Sequence, residues 1–226
     1  RLLWSAGPAA RATNVVGYNC SYIAITKIRD FGEILHISMC GTGVGFSVEE
    51  KAIQNLPQIK TQTGEMLETH VIDDSKEGWS DALILGFTTW FSGKDINFDF
   101  SRLRPAGARL KTMGGKSSGP APLISLLSFC RSKILNRQGR RLNTLDIHDI
   151  ACKIGECVVM GGVRRSALIS LSDLDDLAMR DAKKGQFYVT NPERSMANNS
   201  TIFNSKPSSA EFLEEWLALV KSGSGE

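Results

Sequence analysis

Apolar residues recur at helical spacing in two places in the second half of the chain. Ile147, Ile150, Ala151, Ile154, Cys157 and Val158 follow i, i+3, i+4, i+7 order behind Asn143 and Thr144, either of which can cap a helix. Phe212, Leu213, Trp216, Leu219 and Val220 form a second stripe, opened at Ser208 with Glu211 three residues on as a capping box, and the pattern predicts that this stripe is buried. Shorter runs read as strands: Tyr22–Thr26, Ser166–Leu171, and whatever follows the small-residue turn Gly41–Phe46. Only Gly161 to Arg165 joins the Asn143 helix to the strand after it. Helix, glycine turn and strand in alternation predict an α/β layout. Between Glu49 and about Lys94 the chain is more polar, with acids at Glu65, Glu68, Asp73, Asp74 and Glu77, and it reads as an inserted or peripheral segment.

A length of 226 residues fits one large domain or two small ones. With 27 Lys+Arg against 24 Asp+Glu the formal charge is +3, too mild to mark a nucleic-acid coat, and no direct DNA or RNA binding is expected. The uncharged stretch Ser117–Cys130, like the others in the chain, is well short of the roughly 20 apolar residues that span a bilayer, so no membrane segment is expected. Five cysteines, an odd count without a Cys-x-x-Cys, argue against a disulfide framework or structural zinc and for a reducing, cytoplasmic setting. Cys40, Cys130, Cys152 and Cys157 are expected in the core. Cys20, just before the first strand, is either a buried structural thiol or a chemical one. His36, His70 and His148 lack partners at metal-ligand spacing, so no metal site is predicted; His148 is expected on the polar side of its helix. No signal peptide develops after Arg1-Leu2-Leu3-Trp4, there is no initiator Met, and the chain stops just after a helix signal. It reads as an excerpt of something longer.

The chemical signal is a basic stretch. Ser101–Arg141 carries ten Lys/Arg and no Asp or Glu. Within it, Gly114-Gly115-Lys116-Ser117-Ser118-Gly119-Pro120 precedes the helix-like Leu123–Leu127. Glycine lets backbone N–H groups converge on an oxyanion, and a helix start adds partial positive charge. Either this is a phosphate cradle, though not one with Walker A spacing, or the glycines make a plain turn beneath a solvated basic face. The second glycine turn, Gly161 to Arg165, is equally open: its adjacent arginines reach phosphate or base, or they are an exposed pair on a loop.

Taken in order, Asn19-Cys20, Gly41–Phe46, Asp74–Trp79, Arg104–Arg109, Gly114–Leu123, Gly162–Ala167 and Ala197–Ser200 resemble the catalytic chain of ribonucleotide reductases. The similarity is greatest to the adenosylcobalamin-dependent (class II) monomeric ribonucleoside-triphosphate reductases and runs from Trp4 to Glu226. It implies a fold, the first half of a ten-stranded α/β barrel with a peripheral insertion over residues 48–99. It also implies that Cys20 is one of a redox pair that reduces the ribose 2′ position, and that Ser5, Asn19, Gly161 and Arg165 meet the ribonucleotide substrate. Residues 102–122 become the first loop of a deoxynucleotide effector site, with Arg109, Lys111, Gly114, Gly115, Lys116 and Ser117 as ligands. Residues 161–166 become the second, specificity loop, with Arg164 toward the effector. Asp30, ten residues after Cys20, falls where the family has an acid on the effector sugar.

The resemblance further implies adenosylcobalamin as cofactor, held mainly by sequence outside this chain, a thioredoxin-like dithiol reductant, and the remainder of the catalytic chain as partner. One element departs from the pattern. The family's thiyl-radical cysteine lies in an Asn-Pro-Cys-Gly-Glu motif, and Asn191-Pro192-Glu193 echoes it without the cysteine. The excerpt alone is therefore expected to be inactive. A non-catalytic nucleotide-binding regulatory module and the large chain of an iron-dependent class I reductase are the competing readings.

Overall fold

The computed structural model describes residues 7–110, 115–160 and 167–223. In chain order its elements are α1 (Gly7–Ala12), β1 (Cys20–Ala24), α2 (Ile28–Met39), β2 (Gly43–Ser47), α3 (Glu50–Ile53), β3 (His70–Val71), α4 (Lys76–Phe91) and β4 (Phe98–Asp99). After these come α5 (Ala121–Leu135), α6 (Thr144–Met160), β5 (Leu168–Asp173), α7 (Leu177–Arg180), α8 (Phe187–Thr190), β6 (Ala197–Ile202) and α9 (Ser209–Ser222), with single 3-10 turns at Asn14–Gly17 and Pro192–Met196.

Four strands form one parallel sheet in the order β1-β2-β5-β6; β3 and β4 pair separately, also in parallel. The register sets Tyr22 opposite Gly45, Gly45 opposite Ile169, and Ile169 opposite Asn198. Because side chains alternate between faces, Val44, Phe46, Leu168, Ser170 and Ala197 all point to one side, and all are buried there. That side carries the helices: α2 packs on α4, α4 on α5, α5 on α6, and α6 back on α2.

Each helix has a local cause. The Asp30 carboxylate accepts the N–H groups of Thr26 and Lys27 at 2.8 and 2.9 Å, closing a capping box on α2, and Gly41 takes the left-handed φ of +83° that ends it. Ser75 Oγ accepts Gly78 N–H at 2.9 Å to start α4. Asn143 Oδ1 accepts Asp146 N–H at 2.8 Å before α6, whose predicted stripe from Ile147 to Val158 is buried throughout. About a third of the polar stretch after Glu49 becomes α4, and its Ala82, Leu83, Phe87, Trp90 and Phe91 join the main core. Fully burying side chains of this size contributes about 1.5–3 kcal/mol each.

Two expectations are corrected. His148 is not on a polar face: it is fully buried, with Nδ1 2.9 Å from Ser170 Oγ on β5. The stripe on α9 is not buried either. Its capping box forms as read, with Glu211 N–H on Ser208 Oγ, yet Phe212, Leu213, Trp216 and Val220 are each about half exposed, because no other described element lies against that face. Among the described residues no helix is long and apolar enough to cross a membrane.

Candidate functional site

The second face of the parallel sheet is open. It carries Cys20 and Tyr22 from β1, Gly43 and Gly45 from β2, Ile169 from β5, and Asn198 and Ser200 from β6. Parallel sheets are normally covered on both faces, so exposed apolar groups here, Tyr22 at 56% and Ile169 at 42%, mark an incomplete surface. Gly43 and Gly45 leave a side-chain-free lane down the middle. A Cβ built on Gly45 would stand 3.7 Å from both Tyr22 and Ile169, which therefore form the two walls.

Cys20 heads this lane. It is the exposed cysteine, whereas Cys40, Cys130, Cys152 and Cys157 are buried. Its strand partner Gly43 accepts from Ser21 Oγ at 3.1 Å, and Gly43 N–H donates to Asn19 O at 2.9 Å. One strand further on, Val44 N–H donates to Ala167 O at 2.9 Å. Cys20 therefore lies about two strand spacings, roughly 10 Å, from Ala167. Asn19 is exposed beside Cys20.

The glycine-rich basic segment folds back as a hairpin. Leu110 N–H donates to Gly115 O, Ser117 N–H to Ala108 O, and Gly107 N–H to Ser117 O at 2.8 Å. That register sets Arg109 directly opposite Lys116, both exposed, with no ion pair to either among the described residues. Like charges in register repel, so the hairpin presents a site that an anion would relieve. Gly115, Gly107 and Gly119 all have positive φ. At Gly119 a Cβ would meet Ala106 N at 2.9 Å, so only glycine closes the base of the hairpin ahead of α5.

The rest of the basic stretch is not acid-free in space. Arg102 pairs with Asp73, Arg104 with Asp74 at 2.7 Å, Arg131 with Asp95, Arg137 with Asp146 at 2.6 Å, and Lys133 with Asp149 at 2.6 Å. Those acids come from outside residues 101–141. Among the described residues of the stretch this leaves Arg140 and Arg141 before α6, and Arg109 and Lys116 at the hairpin, without an ion pair. Of the residues assigned to effector, Arg109, Gly115, Lys116 and Ser117 come together here. Asp30 is elsewhere employed: it is buried, its Oδ2 bound to Thr26 and Lys27 in the α2 cap. Ser5, Lys111, Gly114, Gly161, Arg164 and Arg165 lie outside the described residues.

One constellation escaped sequence reading. Lys76 Nζ, at the start of α4, donates to Cys40 Sγ at 3.2 Å, just past the end of α2. Burial pushes the Cys40 thiol up, but hydrogen bonds from His36 and Lys76 outweigh it and hold the thiol below its ordinary value. The same bond to Cys40 raises His36 against the opposing effect of burial. His36 at i−4 was visible in the sequence; Lys76, from another helix, was not.

The site thus defines a class: an α/β protein with a half-covered parallel sheet, a glycine-floored lane headed by one accessible thiol, and a cationic hairpin before a helix. Comparison with known proteins makes this specific. Residues 35–134 match the family of the B12-dependent ribonucleotide reductase insertion domain. An adenosylcobalamin-dependent ribonucleoside-triphosphate reductase of Euglena gracilis is 33% identical over 90% of this chain and 29% of its own length. That of Lactobacillus leichmannii is 31% identical over 74% of this chain and 27% of its own. A crystal structure of a B12-dependent (class II) ribonucleotide reductase superposes with a TM-score of 0.71 at 26% identity, over 81% of this chain and 33% of that one. The chain is similar to class II ribonucleotide reductases over most of its own length, and it spans about 29% of the length of the first of them.

Proposed function

We propose that this chain is the amino-proximal part of the catalytic barrel of an adenosylcobalamin-dependent ribonucleoside-triphosphate reductase, with Cys20 as one thiol of its reducing pair. The observation that carries this reading is the position of Cys20: exposed, first on β1, beside the side-chain-free lane of Gly43 and Gly45, and two strand spacings from Ala167. In the reduction, Cys20 and a second cysteine outside the described residues give up two electrons and two protons. Their S–H bonds break, an S–S bond forms, the ribose 2′ hydroxyl leaves as water, and a C–H bond takes its place. A dithiol such as thioredoxin then returns the pair to thiols.

The hairpin at residues 105–119 is read as the effector loop, its Arg109 and Lys116 facing the phosphates of a deoxynucleoside triphosphate. Residues 161–166 are read as the specificity loop and 48–99 as an insertion, the latter supported by the family match over residues 35–134. The open sheet face and the apolar side of α9 are surfaces for the rest of the catalytic chain.

The described residues do not fit the cofactor itself. The cleft at the carboxyl ends of β5 and β6 mixes Leu174, Ile202, Phe203 and Pro207 with Asp173, Asp175, Asn204, Lys206 and Glu211, so charged and polar groups interrupt its apolar residues where a corrin ring would need a continuous face. Adenosylcobalamin is assigned to other sequence, and no step is derived through it. Replacing Cys20 by serine in the full-length protein tests the reading. Multiple turnover with a dithiol reductant should fall to background while nucleotide affinity stays within about twofold; undiminished turnover overturns it.

A further inference from the structure

Outside the site just described, the strongest unassigned chemistry is the meeting of three titratable side chains from two helices. Cys40 is only 1% exposed, yet it is held by an ammonium, Lys76 at 3.2 Å, and by the His36 imidazole, with Glu77 acting on His36 from the α4 side. The other buried cysteines behave in the opposite sense. Burial above all pushes Cys130 and Cys152 far up and Cys157 up to about 12, and none of them has an ammonium or guanidinium hydrogen-bonded to its sulfur. Of these four buried thiols, Cys40 alone has an ammonium in contact with its sulfur and is held below its ordinary value, whereas the other three are held above theirs. A nucleophile within hydrogen-bond reach of a proton donor is a reactive arrangement, not a packing one.

Access is limited by what lies on top. Cys40 packs with Val16 in a small cluster apart from the main core, closed by Val15 and Ala10 from the short amino-terminal turns. Thr42 Oγ1 pins that cover by donating to Tyr18 O at 3.0 Å and Val15 O at 3.3 Å. This cover is small and aliphatic, and it favours a small neutral oxidant over a bulky, charged one such as a glutathione disulfide.

We propose that Cys40, with Lys76 and His36, is a modification site for small hydroperoxides, separate from Cys20. The Cys40 thiolate attacks the outer oxygen of the hydroperoxide, an S–O bond forms and the O–O bond breaks. Sulfur is oxidised to sulfenic acid and the peroxide is reduced; the leaving alkoxide or hydroxide takes its proton from the Lys76 ammonium or the His36 imidazolium. The product is neutral, so Lys76 loses its counter-charge and the tie between the end of α2 and the start of α4 is released. That tie stands three residues before Gly43, the strand partner of Cys20.

The proposal holds whether or not Cys20 reduces ribose, and its readouts do not use turnover. In the full-length protein at pH 7, the thiolate absorbance near 240 nm should drop by one thiolate on replacing Cys40 with serine. After a brief pulse of hydrogen peroxide, a 1,3-dione that traps sulfenic acid should label Cys40 at least tenfold more than Cys130, Cys152 or Cys157, quantified by peptide mass spectrometry. Lys76→Met should cut that labelling about tenfold, since an ordinary thiol near 8.5 is only a few per cent ionised at pH 7. No change in absorbance, labelling of Cys40 no greater than of the other three buried cysteines, or labelling unaffected in Lys76→Met would each overturn it.

Discussion

Cys20 and Gly43 stand opposite each other across β1 and β2, and the glycine leaves the space beside the thiol empty. The two glycines of the lane are constrained differently, which separates structure from function. A Cβ on Gly43 would sit 3.2 Å from Ala167 O and 3.4 Å from Ala167 Cβ, so the neighbouring strand would have to move. A Cβ on Gly45 meets only ordinary contacts of 3.6–3.7 Å. Gly45→Ala should therefore fold normally and raise KM for the nucleotide substrate, because its methyl fills the floor between Tyr22 and Ile169. Steady-state kinetics of the full-length variant decide this, and wild-type KM would remove the lane from the substrate site.

Arg109 and Lys116 offer a cleaner charge experiment, because the hairpin is held by backbone bonds that their side chains do not make. Lys116→Glu converts a repelling pair into an attracting one, so the hairpin is kept or strengthened while the anion site is lost. Charged hydrogen bonds to phosphate are worth about 1.5–3 kcal/mol, so deoxynucleoside triphosphate affinity should fall at least about tenfold. Calorimetric titration checks it. Unchanged affinity with an intact hairpin would send the effector elsewhere.

How much of this was legible in the sequence differs from element to element for physical reasons. The α6 stripe was readable because a one-sided apolar pattern in the middle of a helix layer has neighbours to bury it. The α9 stripe gave the same signal, but amphipathicity states only that a face wants cover and not what supplies it. Asp73, Asp74, Asp95, Asp146 and Asp149 neutralise half of the basic stretch from positions before and after it, and spacing along a chain cannot report that. His148 failed for a related reason: its partner Ser170 lies on β5, so a residue placed by polarity on the solvent side finds its hydrogen bond inside.

Asp149 shows what such long-range pairing is worth. It is fully buried, and it accepts from Arg194 at 2.7 and 3.0 Å and from Lys133 at 2.6 Å, tying α6 to α5 and to the turn before β6. Burial opposes its charge, but these two cations outweigh burial and hold the carboxyl below the usual range. Removing one partner of a buried pair costs about 3–5 kcal/mol, and Lys133 remains, so Arg194→Ala should cost about 3 kcal/mol. The urea midpoint is expected to fall accordingly. A shift too small to measure would mean the network adds nothing net.

His148 gives the fold an acid-sensitive limb that can be tested separately. Burial holds its pKa down at about 4, against the partial support of the neighbouring Asp149 charge. As pH falls below about 6.5 the unfolded chain takes up a proton at this residue and the folded chain does not until about pH 4, so stability is lost as pH falls through that window. The full effect is about 3 kcal/mol. Asp149 and Asp95, with lowered values, lose their contributions mainly below pH 4, and His36, raised by its bond to Cys40, titrates alike in wild type and in a His148 variant, so the difference between the two proteins from pH 6.5 to 4.5 isolates His148. His148→Gln can still reach Ser170 and cannot charge. Its urea midpoint should stay nearly level between pH 6.5 and 4.5 where the wild-type midpoint declines, and parallel curves for the two proteins would show that the buried imidazole is not the group being protonated.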